Sequence, residues 1–221
     1  MLTRDLITQS LPYLQLHDKV YQALQLMNDN QVRHLPVIDG DKFAGIISED
    51  DLLMADNENG LISDMSQSLS GAFVKENDHF LTTVQIAGEN NLSIVPVLND
   101  ENEVIGTVAY ADMLKHASEF MSLSEPGGLI VLEVETNQYS FNEISKIVES
   151  NDAQITQLNT SNDAATGMMQ VTIRINRQEI SDIVASFQRY EYNIKYFFGE
   201  EQYTNELKSN YDNLMTYLKL G

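Results

Sequence analysis

The feature that most constrains the fold is a repeat. Val20, Ala23, Leu24 and Met27 fall at i, i+3, i+4 and i+7, one face of a helix, and sixty residues later Phe80, Thr83, Val84 and Ala87 fill the same four places. Asp18 and Asp78 precede the two stripes and are placed to cap the helix N-termini. Val32-Arg33-His34-Leu35-Pro36-Val37-Ile38-Asp39 aligns with Leu92-Ser93-Ile94-Val95-Pro96-Val97-Leu98-Asn99 at the same offset. Each is a short β-rich run, and its proline, lacking a backbone donor, predicts that the ladder ends or bulges there. After an acidic turn the offset becomes 61, and Gly45-Ile46-Ile47-Ser48-Glu49-Asp50-Asp51 matches Gly106-Thr107-Val108-Ala109-Tyr110-Ala111-Asp112, a strand running into a helix. Two copies of one small α/β module follow, each too small to bury much core alone, so the copies are expected to pack together.

Charge and composition exclude several function classes. The 221 residues carry a formal net charge of −20, divided as −13 over residues 1–124 and −7 over 125–221, with no Lys/Arg cluster. Phosphate neutralisation by a nucleic-acid-binding surface and docking on an anionic membrane are both disfavoured. The chain has no cysteine, which removes disulfides, thiol nucleophiles and Cys-ligated metals and fits a cytoplasmic location. No secretory signal pattern and no apolar run of membrane-spanning length is visible.

Ser48-x-x-Asp51 has two readings. As a helix start, Ser48 caps the N-terminus, and Glu49, Asp50 and Asp51 offset the positive end of the helix dipole. As a nucleotide seat, the serine hydroxyl meets a phosphate and the carboxylate accepts bonds from two vicinal ribose hydroxyls. Spacing alone favours the first, because such pairs open many helices. His17, His79 and His116 do not recur at the repeat offset, have no metal-ligand spacing and read as surface residues. No nucleophile–base arrangement is legible, so an enzyme is not expected.

The ordered, duplicated succession of helix, His34-Leu35-Pro36-Val37 strand, acidic turn and Gly45-Ile46-Ile47-Ser48-x-x-Asp51 resembles the CBS domain in a tandem pair, a Bateman module. That resemblance implies clefts that bind AMP, ADP, ATP or S-adenosylmethionine as regulatory ligands rather than catalytic cofactors. It implies that Ser48 faces phosphate and Asp51 the ribose, that Leu35, Pro36 and Ile47 sandwich the adenine, and that Thr8 and Ser10 close the cleft. Arg33 and His34 stand where some energy-sensing CBS domains carry a phosphate-facing His-Arg pair, here in reversed order. Strand neighbours point to opposite faces, so one of the two is expected to reach the ligand. The alternatives are a solvated Arg33 and a partly buried His34. In the second copy Ala109 replaces the serine and Asp112 remains. One competent cleft is therefore expected around Ser48 and Asp51, the other being weak, empty or suited to a ligand without phosphate. Three carboxylates near the seat disfavour a bare triphosphate.

Pro126-Gly127-Gly128 marks a break. Beyond it come an apolar strand at Leu129–Val134, a helix opened by the Ser140/Glu143 capping box with Phe141, Ile144, Ile147 and Val148 on one face, and strands at Ala153–Leu158 and Met169–Ile175. A helix with Ile180, Ile183, Val184 and Phe187, and a strand in which Tyr192, Ile194, Tyr196 and Phe198 alternate, complete a βαββαβ, ferredoxin-like order. After a CBS pair this order resembles an ACT domain, and the whole is similar to the acetoin-utilization family of CBS–ACT proteins. ACT domains often bind amino acids at a glycine-containing loop after the first strand, but Glu135–Tyr139 has no glycine, so a dimerisation role is favoured. Tyr203, Leu207, Tyr211, Leu214 and Leu218 lie at helical spacing in the tail.

The fold class expected is α/β and α+β. The divisions are 3–60 and 61–121 for the CBS copies, 122–127 for a linker, 128–199 for the ACT-like domain and 200–221 for a C-terminal helix. The function the resemblance implies is regulatory sensing by a homodimer that answers to an unidentified protein partner. The alternative is an assembly module whose clefts bind no nucleotide.

Overall fold

The computed structural model describes residues 1–7, 12–164 and 166–199. Thr8 and Ser10, and the stripe from Tyr203 to Leu218, lie outside the described residues. The chain divides into two compact units, Met1–Phe120 and Met121–Gly221. No helix among the described residues is long and apolar enough to cross a membrane.

The first unit holds the repeat. β1 (Leu14–Gln15), α1 (Val20–Asn30), β2 (His34–Asp39), β3 (Lys42–Ser48) and α2 (Glu49–Leu53) form the first copy. β4 (Val74–Lys75), α3 (Phe80–Glu89), β5 (Ile94–Leu98), β6 (Val104–Ala109) and α4 (Tyr110–Phe120) form the second. Each copy makes a three-stranded sheet, in the orders β1-β2-β3 and β4-β5-β6, with the first pair parallel and the second antiparallel. On α1 the buried residues are Val20, Ala23 and Met27, and on α3 they are Phe80, Thr83 and Ala87, the stripes read from periodicity. Both copies contribute to one apolar cluster that includes Leu14, Leu35, Ile47, Phe80, Val95 and Val108.

The two copies are locked by an exchange of leading segments. Ahead of the first copy, Thr3 and Arg4 donate backbone bonds to Asp78 and Glu76 of the second, at 2.9 and 3.0 Å, and Leu2 bridges His79. Ahead of the second copy, Ile62 and Ser63 donate to Asp18 and Leu16 of the first, both at 2.9 Å, and Leu61 bridges Lys19. The exchange is also steric. A Cβ on Gly106 would lie 2.7 Å from Ile7 Cγ2, and one on Gly45 would lie 2.7 Å from Leu69 Cβ. Each glycine lets the other copy's leader seat directly on the sheet. The Thr3 hydroxyl meets that of Thr83 at 2.8 Å in the interior, so these two buried hydroxyls pair across the exchange.

Two expectations are corrected here. Asp18 and Asp78 do not cap the helices. Each accepts the backbone N–H three residues before it, from Gln15 at 2.7 Å and Lys75 at 2.8 Å, and so closes the strand-to-helix turn. Nor do Pro36 and Pro96 end or bulge the ladder. Pro36 pairs with Ile46, whose own N–H and C=O both bond Ser70, so no donor is asked of Pro36 on that side. On its other side β1 pairs only from Val37 onward. The bulges fall one residue later, after Val37 and after Val97.

The second unit has β7 (Gly128–Val134), α5 (Phe141–Glu149), β8 (Ile155–Asn162), β9 (Met169–Ile175), α6 (Ser181–Arg189) and β10 (Asn193–Phe198). Its antiparallel sheet runs β10-β7-β9-β8, the ferredoxin-like arrangement. Ile130, Leu132, Val171 and Ile173 pack with Ile144, Ile147, Ile183 and Phe187. Ser140 caps α5, accepting the Glu143 N–H at 3.3 Å, while Phe141 is exposed rather than part of the buried face. The even alternation read for β10 is broken by a bulge between Ile194 and Tyr196. It puts Tyr192, Ile194 and Phe197 on the core and leaves Tyr196 and Phe198 exposed.

The exchange predicts a coupling. Gly106→Ala should destabilise by about 1–3 kcal/mol through overpacking against Ile7. Combined with Ile7→Ala, that cost should shrink by about 1 kcal/mol or more in a double-mutant cycle followed by denaturant unfolding. Strict additivity would show that Ile7 does not press on Gly106.

Candidate functional site

The first cleft is built where β3 runs into α2. Ser48 has extended backbone angles, and its hydroxyl accepts the Asp51 N–H at 3.0 Å, the helix-start role. The same hydroxyl donates to the Asp51 carboxylate at 2.5 Å, so the two residues singled out by spacing satisfy each other. Arg33, immediately before β2, is pulled onto the same turn. Its Nε lies 3.2 Å from Glu49 and its Nη2 2.9 Å from Asp50. These pairs are exposed and screened by solvent, so each yields readily to a competing anion. The guanidinium is thus engaged by carboxylates rather than standing open towards a phosphate.

His34 does something the repeat did not reveal. Its Nδ1 lies 3.2 Å from the Ser93 backbone nitrogen and 3.1 Å from the Ser93 hydroxyl, and Ser93 Oγ accepts the Arg33 N–H at 3.0 Å. A backbone N–H can only donate, so Nδ1 carries no proton and the ring is neutral with its proton on Nε2. Burial, reinforced by the Arg33 charge, holds this imidazole below its ordinary value, against the opposing pull of Asp50 and Asp51. Arg33 and Ser93 are repeat equivalents, so the bridge ties one copy to the other. The Ser93–His34 contact has nucleophile–base spacing, but Nδ1 already takes an amide proton, and the geometry is that of a structural bridge.

Two clefts result, each walled by both copies. The first has a volume of about 330 Å³ and is lined by Arg33, His34, Ile46, Ser48, Asp51 and Asn91, among others. The second has a volume of about 940 Å³, with Val32, Ala87, Thr107, Ala109, Asp112 and Met113 in its wall. Ile46 and Ser48 of one correspond to Thr107 and Ala109 of the other. Asn90–Leu92 close the first and Asn30–Val32 the second. Leu35, Pro36 and Ile47, expected against an adenine, are instead buried, with Leu35 and Ile47 in the shared core. The cleft face of β3 is presented by Ile46 and Ser48, as the period of two requires once Ile47 points inward. Sequence reading missed Ser70, Asn90 and Asn91, which line the first cleft from the second copy and its leader. The signal for Asn90 and Asn91 was their repeat offset from Asn30 and Gln31, but no linear motif shows which copy closes which cleft. His116, read as a surface residue, has a side chain only 16% exposed and pairs with Glu119 at 3.0 Å.

A third cavity, of about 400 Å³, lies in the second unit at the loop after β7. Glu133, Glu135, Glu143 and Glu191 line it, with Tyr192 donating to Glu143 at 2.7 Å. Burial and the Glu143 carboxylate raise the Tyr192 phenol well above its ordinary value. Four carboxylates oppose the α-carboxylate of a free amino acid. Among the described residues, no group of three or more His, Cys, Asp or Glu could hold a metal ion.

Residues 4–58 and 69–119 each match the CBS domain family. A homoserine O-acetyltransferase of Methanocorpusculum labreanum is 27% identical over 57% of this chain and 24% of its own length. An inosine-5'-monophosphate dehydrogenase of Methanocaldococcus jannaschii is 22% identical over 60% of this chain and 27% of its own. The chain thus spans about a quarter of the length of these curated relatives. A CBS domain pair/ACT domain protein of Thermotoga maritima superposes with a TM-score of 0.49 at 24% identity, covering 54% of this chain and 98% of that one. CBSX2, solved in complex with AMP, does so with a TM-score of 0.46 at 19% identity, covering 54% and 97%.

The neutral His34 fixes the sign of a pH effect. Because its folded value lies below the ordinary 6.5, its contribution to stability is complete above that pH. The contribution is lost as pH falls from there through the depressed folded value. Comparing urea unfolding of the wild type and His34→Asn across this range should show a wild-type advantage that shrinks on acidification. A difference independent of pH would mean that the ring is not held neutral.

Proposed function

We propose that this chain, whose residues 4–58 and 69–119 each match the CBS domain family, is a regulatory sensor of an adenosine-containing ligand seated in the first cleft. The observation that carries the reading is the meeting of Ser48 and Asp51 on the wall of that cleft. The carboxylate offers paired acceptors to vicinal ribose hydroxyls, and the serine hydroxyl offers a donor to phosphate once its bond to Asp51 is exchanged for bonds to ligand. Arg33 stands beside them, held only by exposed ion pairs. Glu49, Asp50 and Asp51 favour AMP, a magnesium-bound nucleotide or S-adenosylmethionine over a bare triphosphate. A cleft walled by both copies gives the ligand a means of regulation, since it binds best when the copies hold one arrangement.

The second unit is read as an ACT-like domain that mediates dimerisation or carries the output to a protein partner. Its acidic cavity disfavours amino-acid binding, while Tyr196 and Phe198 expose aromatic surface on its edge strand. The order of domains supports a reading of the chain as similar to the acetoin-utilization CBS–ACT proteins. A second reading, an assembly module that binds no nucleotide, is favoured by one fact: Ser48 is satisfied by Asp51, and Arg33 by Glu49 and Asp50, without any ligand.

Thermal shift separates the two. AMP, ADP, ATP or S-adenosylmethionine at 100 times its Kd should stabilise the protein by about 2.7 kcal/mol. Ser48→Gly, which keeps a tolerable helix cap, and Asp51→Asn should each abolish the shift, and Asp112→Ala should leave most of it. No shift with any of the four compounds would favour the assembly reading.

A further inference from the structure

The backbone and the side chain of Arg33 are held by different partners. Its N–H donates to Ser93 Oγ of the second copy at 3.0 Å, and its C=O accepts the Glu49 N–H at 2.8 Å. The backbone is thus fixed both across the copies and onto the start of α2. The guanidinium reaches the first turn of the same helix, with Nε 3.2 Å from Glu49 and Nη2 2.9 and 3.0 Å from the two carboxylate oxygens of Asp50.

These three residues occur together or not at all in the repeat. At the places of Arg33, Glu49 and Asp50 the second copy has Ser93, Tyr110 and Ala111, while the aspartate that follows recurs as Asp51 and Asp112. Since α4 begins at Tyr110 without the two carboxylates, Glu49 and Asp50 are not required to open a helix at this turn. Arg33 is also the only lysine or arginine among the described residues lining the first cleft, where Asp50 and Asp51 stand beside it and His34 is neutral. A phosphate entering the cleft therefore meets no free cation. The Arg33 side chain is 62% exposed, so a phosphate can take the guanidinium from its carboxylates, but part of the attraction is used in breaking the existing pairs.

We infer that Glu49 and Asp50 are specificity-determining residues of the first cleft: by holding Arg33 they weaken the binding of a phosphate-bearing nucleoside and leave that of the uncharged nucleoside unaltered. Carboxylate and phosphate compete for one donor fork. The anchors at Ser93 and Glu49 keep the Arg33 backbone in place, so the exchange needs only the side chain to turn. The inference rests on the reading of this cleft as an adenosine-ligand seat and adds the residues that decide how much the charge of the ligand counts. Two carboxylates also repel a phosphate through space. That effect needs no guanidinium, so removing Arg33 separates the two.

Titration calorimetry of the full chain with AMP and with adenosine tests the inference. Glu49→Gln combined with Asp50→Asn keeps the side-chain shapes and removes both charges. It should tighten AMP binding about three- to tenfold, the range of two exposed ion pairs, and leave adenosine binding within twofold. With Arg33→Met also present, the same two substitutions should change AMP affinity by less than twofold. The inference fails if the Glu49/Asp50 variant binds AMP within twofold of the wild type, if adenosine gains as much as AMP, or if the gain persists without Arg33. Each of these results leaves the adenosine-ligand reading standing, as does adenosine heat with no AMP heat in any variant, which also overturns the inference. AMP heat that appears only in the Glu49/Asp50 variant supports both. No heat from either compound with wild type or variant overturns both.

Discussion

Each small sheet of the first unit is finished by a segment that precedes the other copy. Residues 2–7 seat on the second copy, through backbone bonds to Glu76 and Asp78 and the press of Ile7 on Gly106. Residues 61–70 seat on the first, through Asp18 and Leu16 and the press of Leu69 on Gly45. A copy of about 55 residues buries too little apolar surface to be secure alone. Here neither copy is a closed object: the apolar cluster runs through both, and the buried Thr3 and Thr83 hydroxyls pair across the exchange. Two glycines are the permissive element, since a methyl group on either would hold the leader off the sheet.

The clefts are a consequence of this arrangement. Ser70, in the second copy's leader, bonds both backbone groups of Ile46 and so sits on the wall of the first cleft. The turn at Asn90–Leu92 lines the same cleft, and the His34–Ser93 bridge ties the two copies together. A ligand in either cleft therefore touches both copies, which is the physical requirement for a molecule that reports occupancy by shifting their relative arrangement. The divergence of the copies has followed the same geometry. Substitutions at four equivalent places, Ile46/Thr107 and Ser48/Ala109 on the strands and Met27/Ala87 and Asn28/Gly88 on the helices, change side-chain size and polarity while both copies keep the same elements.

The second unit rests on different physics. Its sheet packs two amphipathic helices, α5 and α6, in one apolar cluster. The bulge in β10 is what turns Tyr196 and Phe198 outward, and the four glutamates around the cavity at the β7 loop give this unit an acidic pocket.

Much of this was legible in the order of residues. The repeat offset, the helix stripes, the strand-to-helix turns and the βαββαβ order follow from periods of 3.6 and 2 and from turn chemistry, which act over a few residues and leave their mark in the chain. Ser48 and Asp51 were legible for the same reason, three residues apart on one turn. The roles of Asp18 and Asp78 were misread, because a carboxylate before a helix can bond forwards or backwards and spacing does not distinguish the two. The phase of β10 was misread because a bulge leaves no compositional trace. What only the tertiary structure decided was which copy closes which cleft, that Ile46 rather than Ile47 faces it, and that His34 is spent on Ser93. These depend on contacts between residues far apart in the chain, His34 and Ser93 being 59 positions apart. Local patterning fixes which face of an element is apolar, but the partner that covers that face is chosen by packing, where the loss of water from both surfaces is counted together.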